Sequence, residues 1–159
     1  MNNLFNEPVK VYLAGPFFSD KQIKKVELLE NALNSNETVS SFFSPMRCQR
    51  PEELADDVAE FTPEWAKVTM ENDIKEVEKA DVIVAITDFD GQDADSGTAW
   101  ELGYAIAQGK PTYLIQFEET VPTNIMLTER NRAFFTHQDQ VSNYNFLMSP
   151  SLPYTGKYQ

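Results

Sequence analysis

Asp81-Val82-Ile83-Val84-Ala85-Ile86-Thr87 is a short apolar run that reads as a buried strand. An acidic, Gly-containing loop at 88–95 separates it from Asp95-Ser96-Gly97-Thr98-Ala99-Trp100-Glu101-Leu102-Gly103-Tyr104-Ala105, which reads as a helix. Strand, loop and helix in this order form one unit of an open α/β sheet, where ligands bind in loops at the carboxyl ends of strands. Ala99, Trp100, Leu102, Tyr104, Ala105, Ile106 and Ala107 leave the helix almost no polar face, so it is expected to be largely buried. Glu101 is the one charged side chain between Asp95 and Lys110. Two readings of it stand side by side. Thr98-Ala99-Trp100-Glu101 is a capping-box pattern, with the Glu at N3 reaching back to the N-cap amide. A lone carboxylate on a buried helix beside the mouth of a sheet is also a candidate for chemistry.

Outward from this unit, the chain alternates strands and helices. Val9-Lys10-Val11-Tyr12-Leu13-Ala14 is the first strand and stops at Gly15-Pro16, with Tyr12 near its carboxyl end as a packing residue or a site residue. Ser19-Asp20-Lys21-Gln22 opens a helix as a capping box, and Ile23, Val26, Leu29 and Leu33 carry its stripe to about Asn34. A second strand is expected at 39–43. From 46 to 61 periodicity fails, and a loop of that length in a compact domain is usually functional or mobile. Gln49 and Arg50 are its polar contact groups.

Thr62-Pro63 restarts a helix, with Thr as N-cap and Pro at N1. Ala66, Met70, Asp73 and Val77 share one stripe, which places Asp73 in the apolar face. An unpartnered polar group there costs roughly 2–7 kcal/mol. Asp73 therefore pairs with a buried group or points into a cavity at the core's edge. Further strands are expected at 112–117 and, as an edge, at 133–137, with a short helix from 121 to about 131 and a weak one at 138–147. His137 is read as structural or surface. The tail, 149–159, is too polar to pack alone and is expected to be frayed or docked on a neighbouring subunit.

These elements predict one domain over 1–159: a doubly wound, flavodoxin-like α/β fold with a five-stranded, mostly parallel sheet and helices on both faces. A chain of 159 residues is long enough for a real core, and 42% hydrophobic content fits a soluble globular protein. Net charge is −12, with no basic patch or helix, which argues against a nucleic-acid polymer or an anionic membrane surface as partner. The single cysteine, Cys48, and the absence of a basic-then-apolar start make the expected location cytoplasmic. The sequence has no G-x-G-x-x-G after the first strand, no Walker loop, no G-x-S-x-G elbow and no Cys/His cluster, so neither cofactor nor metal is expected. What remains around the crest is Asp73, Asp95 and Glu101 with Tyr12 nearby. Paired carboxylates of this kind fit glycosidic-bond chemistry.

Tyr12-Leu13-Ala14-Gly15-Pro16-Phe17-Phe18, Asn72-Asp73, the stretch from Asp95 through Glu101-Leu102-Gly103-Tyr104-Ala105, and Pro122-Thr123-Asn124-Ile125-Met126 resemble, in order and spacing, the nucleoside 2-deoxyribosyltransferases. The most specific carrier is an acid six residues ahead of the glutamate that opens E-L-G-Y-A. The resemblance implies transfer of 2-deoxyribose between nucleobases, with deoxynucleosides and free bases as partners. Glu101 would be the nucleophile, Tyr12 would orient it, and Asp73 would help protonate the leaving base. Asp95 would hold sugar hydroxyls, Gln49 would contact the base and Phe17 would wall its pocket. Asn124 and Met126 would reach a neighbouring subunit's site, which implies a homo-oligomer, a hexamer built from dimers. Family members commonly end on an aromatic or aliphatic residue, whereas the last residues here are Lys157-Tyr158-Gln159. The nearest alternative is a deoxynucleoside 5'-monophosphate N-glycosidase that hydrolyses the same bond. A non-catalytic receiver-like module would want acids at the end of the first strand, where Tyr12 to Pro16 stand instead.

Overall fold

The computed structural model describes residues 2–159, so Met1 of the expected 1–159 domain lies outside it. Five strands, β1 (Val9–Ala14), β2 (Val39–Phe43), β3 (Val82–Ile86), β4 (Thr112–Ile115) and β5 (Asn131–Phe135), form one sheet in the order β2-β1-β3-β4-β5. Every pairing is parallel, where the sequence predicted a mostly parallel sheet. The helices are α1 (Asp20–Asn34), α2 (Pro63–Lys79), α3 (Ser96–Ala107), α4 (Ile125–Thr128) and α5 (Gln138–Asn143). Strand β5 begins two residues before the expected Ala133.

Alternation along the strands sends side chains to two cores. Val9, Val11, Leu13, Val84, Ile86 and Phe135 pack with Val26, Leu29 and Leu33 of α1 and Val141 of α5. Tyr12, Ala14, Ile83, Ala85 and Leu114 face the other way, onto Val77 of α2 and Leu102 and Ala105 of α3. β3 is buried at every position, as a central parallel strand covered on both faces must be. All strands point the same way, so their carboxyl ends meet in one crest, where Gly15 lets β1 approach Ile86 closely. A Cβ there would lie 3.2 Å from the Ile86 side chain.

Three expectations are corrected. α3 is not largely buried: Thr98, Leu102 and Ala105 face the core, but Trp100 is 53% exposed and stacks flat on Tyr104 at 5.2 Å. Its N-cap is Asp95, whose Oδ2 accepts from the Thr98 amide at 3.2 Å, so Thr98 is not the cap and Glu101 is not an N3 capping residue. The tail is not frayed: it packs on this chain's own β5 edge. Leu152 pairs alongside Ala133, with Phe134 N donating to Leu152 O at 3.0 Å, and Tyr154 is buried against Phe134. The tail thus covers the edge that β5 would otherwise leave open. The segment after β2 holds a single 3₁₀ turn, Pro45–Arg47, and no further regular element before α2. His137 proves to be the N-cap of α5, in a capping box with Gln140. No described helix is long and apolar enough to cross a membrane.

Candidate active site

Tyr12 reaches the site because β1 alternates: its side chain points to the α3 face and is 0% exposed. Its hydroxyl donates to Glu101 Oε1 at 2.7 Å across 89 residues of sequence. The bond joins the central sheet to the second turn of α3 and fixes the carboxylate's direction. Burial pushes the Glu101 carboxyl up to about 7; the Tyr12 bond pulls it down, and the nearby charges of Asp73 and Asp95 push it up further. Burial and the Glu101 charge together drive the Tyr12 phenol far above its ordinary range, so it stays a donor.

Asp73 comes from α2, held by Thr62, whose hydroxyl accepts from the Trp65 amide at 3.3 Å, with Pro63 at N1. Of the two placements open to it, the structure adopts the cavity. A hollow of about 320 Å³ is lined by Trp65, Thr69 and Asp73 of α2, one turn apart, and by Gly97, Trp100 and Glu101 of α3. Asp73 Oδ1 is buried with no hydrogen-bond partner. Burial pushes this carboxyl up to about 6, against the Asn72 amide, which lowers it, and with the Glu76 charge, which raises it. Two carboxyls thus share a largely apolar hollow, both raised toward neutrality, one steadied by a phenol and one with an oxygen left without a partner.

Asp95 serves both as cap of α3 and as lining of a second, more polar cavity of about 590 Å³, shared with Phe89, Asp93, Ser96, Pro122 and Gln159. The tail therefore reaches the crest, bound by Thr123 N to Lys157 O at 2.8 Å and Gln159 N to Thr123 O at 3.0 Å. Asn124 caps α4, its Oδ1 accepting from the Met126 amide at 2.9 Å, while its own amide donates to Asp93 Oδ2 at 2.9 Å. Met126 is 75% exposed and Ile125 is exposed beside it, and neither lines the two cavities.

Of the residues expected in this chain's own site, Gln49 and Phe17 line neither cavity. Gln49 is exposed and turns back on its own loop, its Nε2 donating to Met46 O at 3.1 Å. Its backbone carbonyl does act there, accepting from Trp65 Nε1 at 3.2 Å. Phe17 packs against the α1 core and stacks on Phe18 at 5.6 Å, outside the residues that line the hollow. Thr69 was not singled out by the sequence. Its unpartnered hydroxyl lies one turn before Asp73, and the i, i+4, i+8 spacing of Trp65, Thr69 and Asp73 is the signal that would have found it. Among the described residues no His, Cys, Asp and Glu side chains group as a metal site.

Comparison with known proteins agrees with this arrangement. A sequence model described as nucleoside 2-deoxyribosyltransferase matches residues 11–139, a span that contains Tyr12, Asp73, Asp95, Glu101, Asn124 and Met126. A nucleoside deoxyribosyltransferase of Limosilactobacillus fermentum is 30% identical over 146 residues, 86% of each chain. The solved 2-deoxyribosyltransferase of the psychrotolerant bacterium Bacillus psychrosaccharolyticus superposes with a TM-score of 0.74 at 34% identity, over 92% of this chain and 99% of that one. A Leishmania mexicana enzyme titled 2-desoxiribosyltransferase shares the fold, with a TM-score of 0.59 at 22% identity over 86% and 99% of the two chains. The carboxylate pair at the crest thus belongs to a deoxyribosyl-transferring enzyme of the pentosyltransferase class, and the chain is a member of the nucleoside 2-deoxyribosyltransferase family.

Proposed function

We propose that this chain exchanges 2-deoxyribose between nucleobases in nucleoside salvage, by a ping-pong reaction through a covalent deoxyribosyl–Glu101 intermediate. The observation that carries the reading is the 2.7 Å bond from Tyr12 to Glu101 in a hollow that also holds the unpartnered carboxyl of Asp73. Glu101 attacks the anomeric carbon as the glycosidic C–N bond breaks, forming an ester with inversion. The departing base keeps the bonding electrons and takes a proton from Asp73, whose raised pKa suits an acid near neutral pH. A second base then attacks the same carbon, returning its proton to Asp73 and freeing Glu101. Two inversions preserve the configuration. Tyr12 holds the nucleophile in line, which matters because a deoxyribose has no 2-hydroxyl to anchor the intermediate. Asp95 is assigned to the sugar hydroxyls.

Trp100 leaves apolar surface exposed at the rim of the hollow, and Ile125 and Met126 leave more on α4. A second copy covering that rim would exclude water and favour transfer over hydrolysis. We therefore assign a homo-oligomer, built toward a hexamer, in which Asn124 and Met126 complete a neighbour's site.

Base exchange tests the reading: a deoxynucleoside mixed with a different free base should yield the new nucleoside with the β configuration kept. Release of free base at the same rate without an acceptor would instead identify an N-glycosidase.

A further inference from the structure

The loop between β3 and α3 carries Asp95, yet its geometry is set from the opposite face of the sheet. Phe89 and Gln92 exchange backbone bonds of 3.2 and 2.9 Å, closing a two-residue hairpin on Asp90 and Gly91, both in the left-handed region at φ 46° and 78°. Asp-Gly is a favoured pair for such a turn, but Asp90 still occupies a conformation that residues with a Cβ rarely adopt. Gln22, on α1 and only 2% exposed, supplies a tether: its Nε2 donates to Asp90 Oδ2 at 2.7 Å. The same amide's Oε1 accepts from Phe18 N at 2.7 Å, and Phe18 meets Phe89 edge-on at 6.3 Å. One buried amide thus stitches the turn after β1 to the hairpin after β3. Below it, Lys25 is buried against Asp88, whose Oδ1 accepts from Phe117 N at 3.0 Å, so the root of the loop is pinned independently. The part left for Gln22 to fix is the hairpin, whose Phe89, Gly91 and Gln92 wall the second cavity beside Asp95.

We infer that Gln22 is a positioning residue for the donor sugar, acting through Asp90 on the hairpin that sets the wall of the Asp95 cavity. It touches no reacting atom, so its loss weakens binding of the deoxynucleoside before it slows chemistry. This rests on the sugar role given to Asp95 above, and the test separates the two.

Asp90→Gly removes the tether at an exposed position where glycine suits the backbone, so the fold is kept. It should raise the donor KM about tenfold and leave kcat within about twofold. Gln22→Glu keeps the bond from Phe18 N but sets a carboxylate against Asp90 and should raise the donor KM further. Adding Asp90→Asn reverses donor and acceptor and should restore the KM. In an Asp95→Asn background, Asp90→Gly should have no further effect on the donor KM. A donor KM unchanged by Asp90→Gly in otherwise native enzyme, or an effect of the same size in the Asp95→Asn background, would overturn the inference. Asp95→Asn leaving the donor KM unchanged, with Asp90→Gly still raising it, would overturn the sugar role of Asp95 and the route proposed through it.

Discussion

On the α1 face, Lys25 is buried between Asp88 and Glu118, and Arg47 closes on Glu30 with bonds of 2.6 and 3.0 Å. On the α2–α3 face, Glu101 and Asp73 are half-buried with no cation paired to either among the described residues. Burial works against the Lys25 ammonium, but the bonds it donates to Asp88 and Glu118, with their charges, outweigh it and hold its pKa above the ordinary value. The bonds from Lys21 and Lys25 hold Glu118 down at about 2, while Glu101 and Asp73 stand at about 7 and about 6. The same residue types are thus used in two ways. Charge that is paired serves the fold, and charge left unpaired at a cavity is available for chemistry.

The difference also sets the pH dependence of stability. Glu118, with its pKa depressed, stabilises the fold above the ordinary carboxylate range, and that contribution is lost as pH falls toward 2. Glu101 and Asp73 have raised pKa values, so their contribution is present below about 4 and is lost as pH rises through 6 to 7. At pH 8 the native state carries both uncompensated carboxylates.

The largest expected effect lies on the paired face. Lys25→Met leaves Asp88 buried without its partner and should lower unfolding free energy by about 3–5 kcal/mol in urea titration at pH 7. A loss below 1 kcal/mol would mean that the pair contributes little and the contrast between the faces is weaker than drawn. Next comes Asp73→Asn, which removes the proposed proton donor. It should slow exchange from an unactivated base by about 10²–10³, and from an activated base analogue by far less. Equal losses for the two substrates would make Asp73 structural.

Tyr12→Phe removes a bond to a carboxylate and should lower kcat by about 10–100-fold, in keeping with 1.5–3 kcal/mol for such bonds. The bond favours the anion, so its loss raises the Glu101 pKa further. With Glu101 at about 7 and Asp73 at about 6, the alkaline break of the pH–rate profile follows Glu101 and should move to higher pH, while the acid break, which follows Asp73, stays in place. An unmoved alkaline break would mean that another group titrates there. The smallest effect sharpens the contrast from the other side. Glu101→Gln should raise Tm by about 2–4 °C at pH 8, where a half-buried, unpaired charge is removed, and change it little at pH 5. A Tm that falls at both pH values would mean the carboxylate stabilises the fold after all.

Much of this was legible in the chain. The apolar run of β3, the alternation in β1 and the capped starts of α1 and α2 each specify their element locally, so the doubly wound class followed. Asp73 was placed in an apolar stripe by spacing, but whether a partner or a cavity met it depends on α3. The cap of α3 was misplaced because Asp95 to Thr98 and Thr98 to Glu101 satisfy the same three-residue rule. Tyr12, arriving from 89 residues away, takes Glu101 out of the second. The tail looked unpackable because its stabilisation comes from backbone bonds to β5 and Thr123, which carry no residue signature. The base-contacting role of Gln49 and the wall role of Phe17 came from family resemblance in the two loops where side-chain direction is least constrained, and there both side chains turn away from the hollow. Gln22 was read as a capping residue; it accepts from Phe18 N instead of Ser19 N, and its free amide hydrogens go to Asp90.

Incubation of Glu101→Gln with a deoxynucleoside and a second base, alongside native enzyme treated with a slow 2'-fluorinated nucleoside, tests the central claim. The account predicts no detectable exchange by a folded Glu101→Gln protein, and a covalent adduct on the peptide that carries Glu101 in the native one. Near-normal exchange by Glu101→Gln, or an adduct on any other peptide, would contradict it.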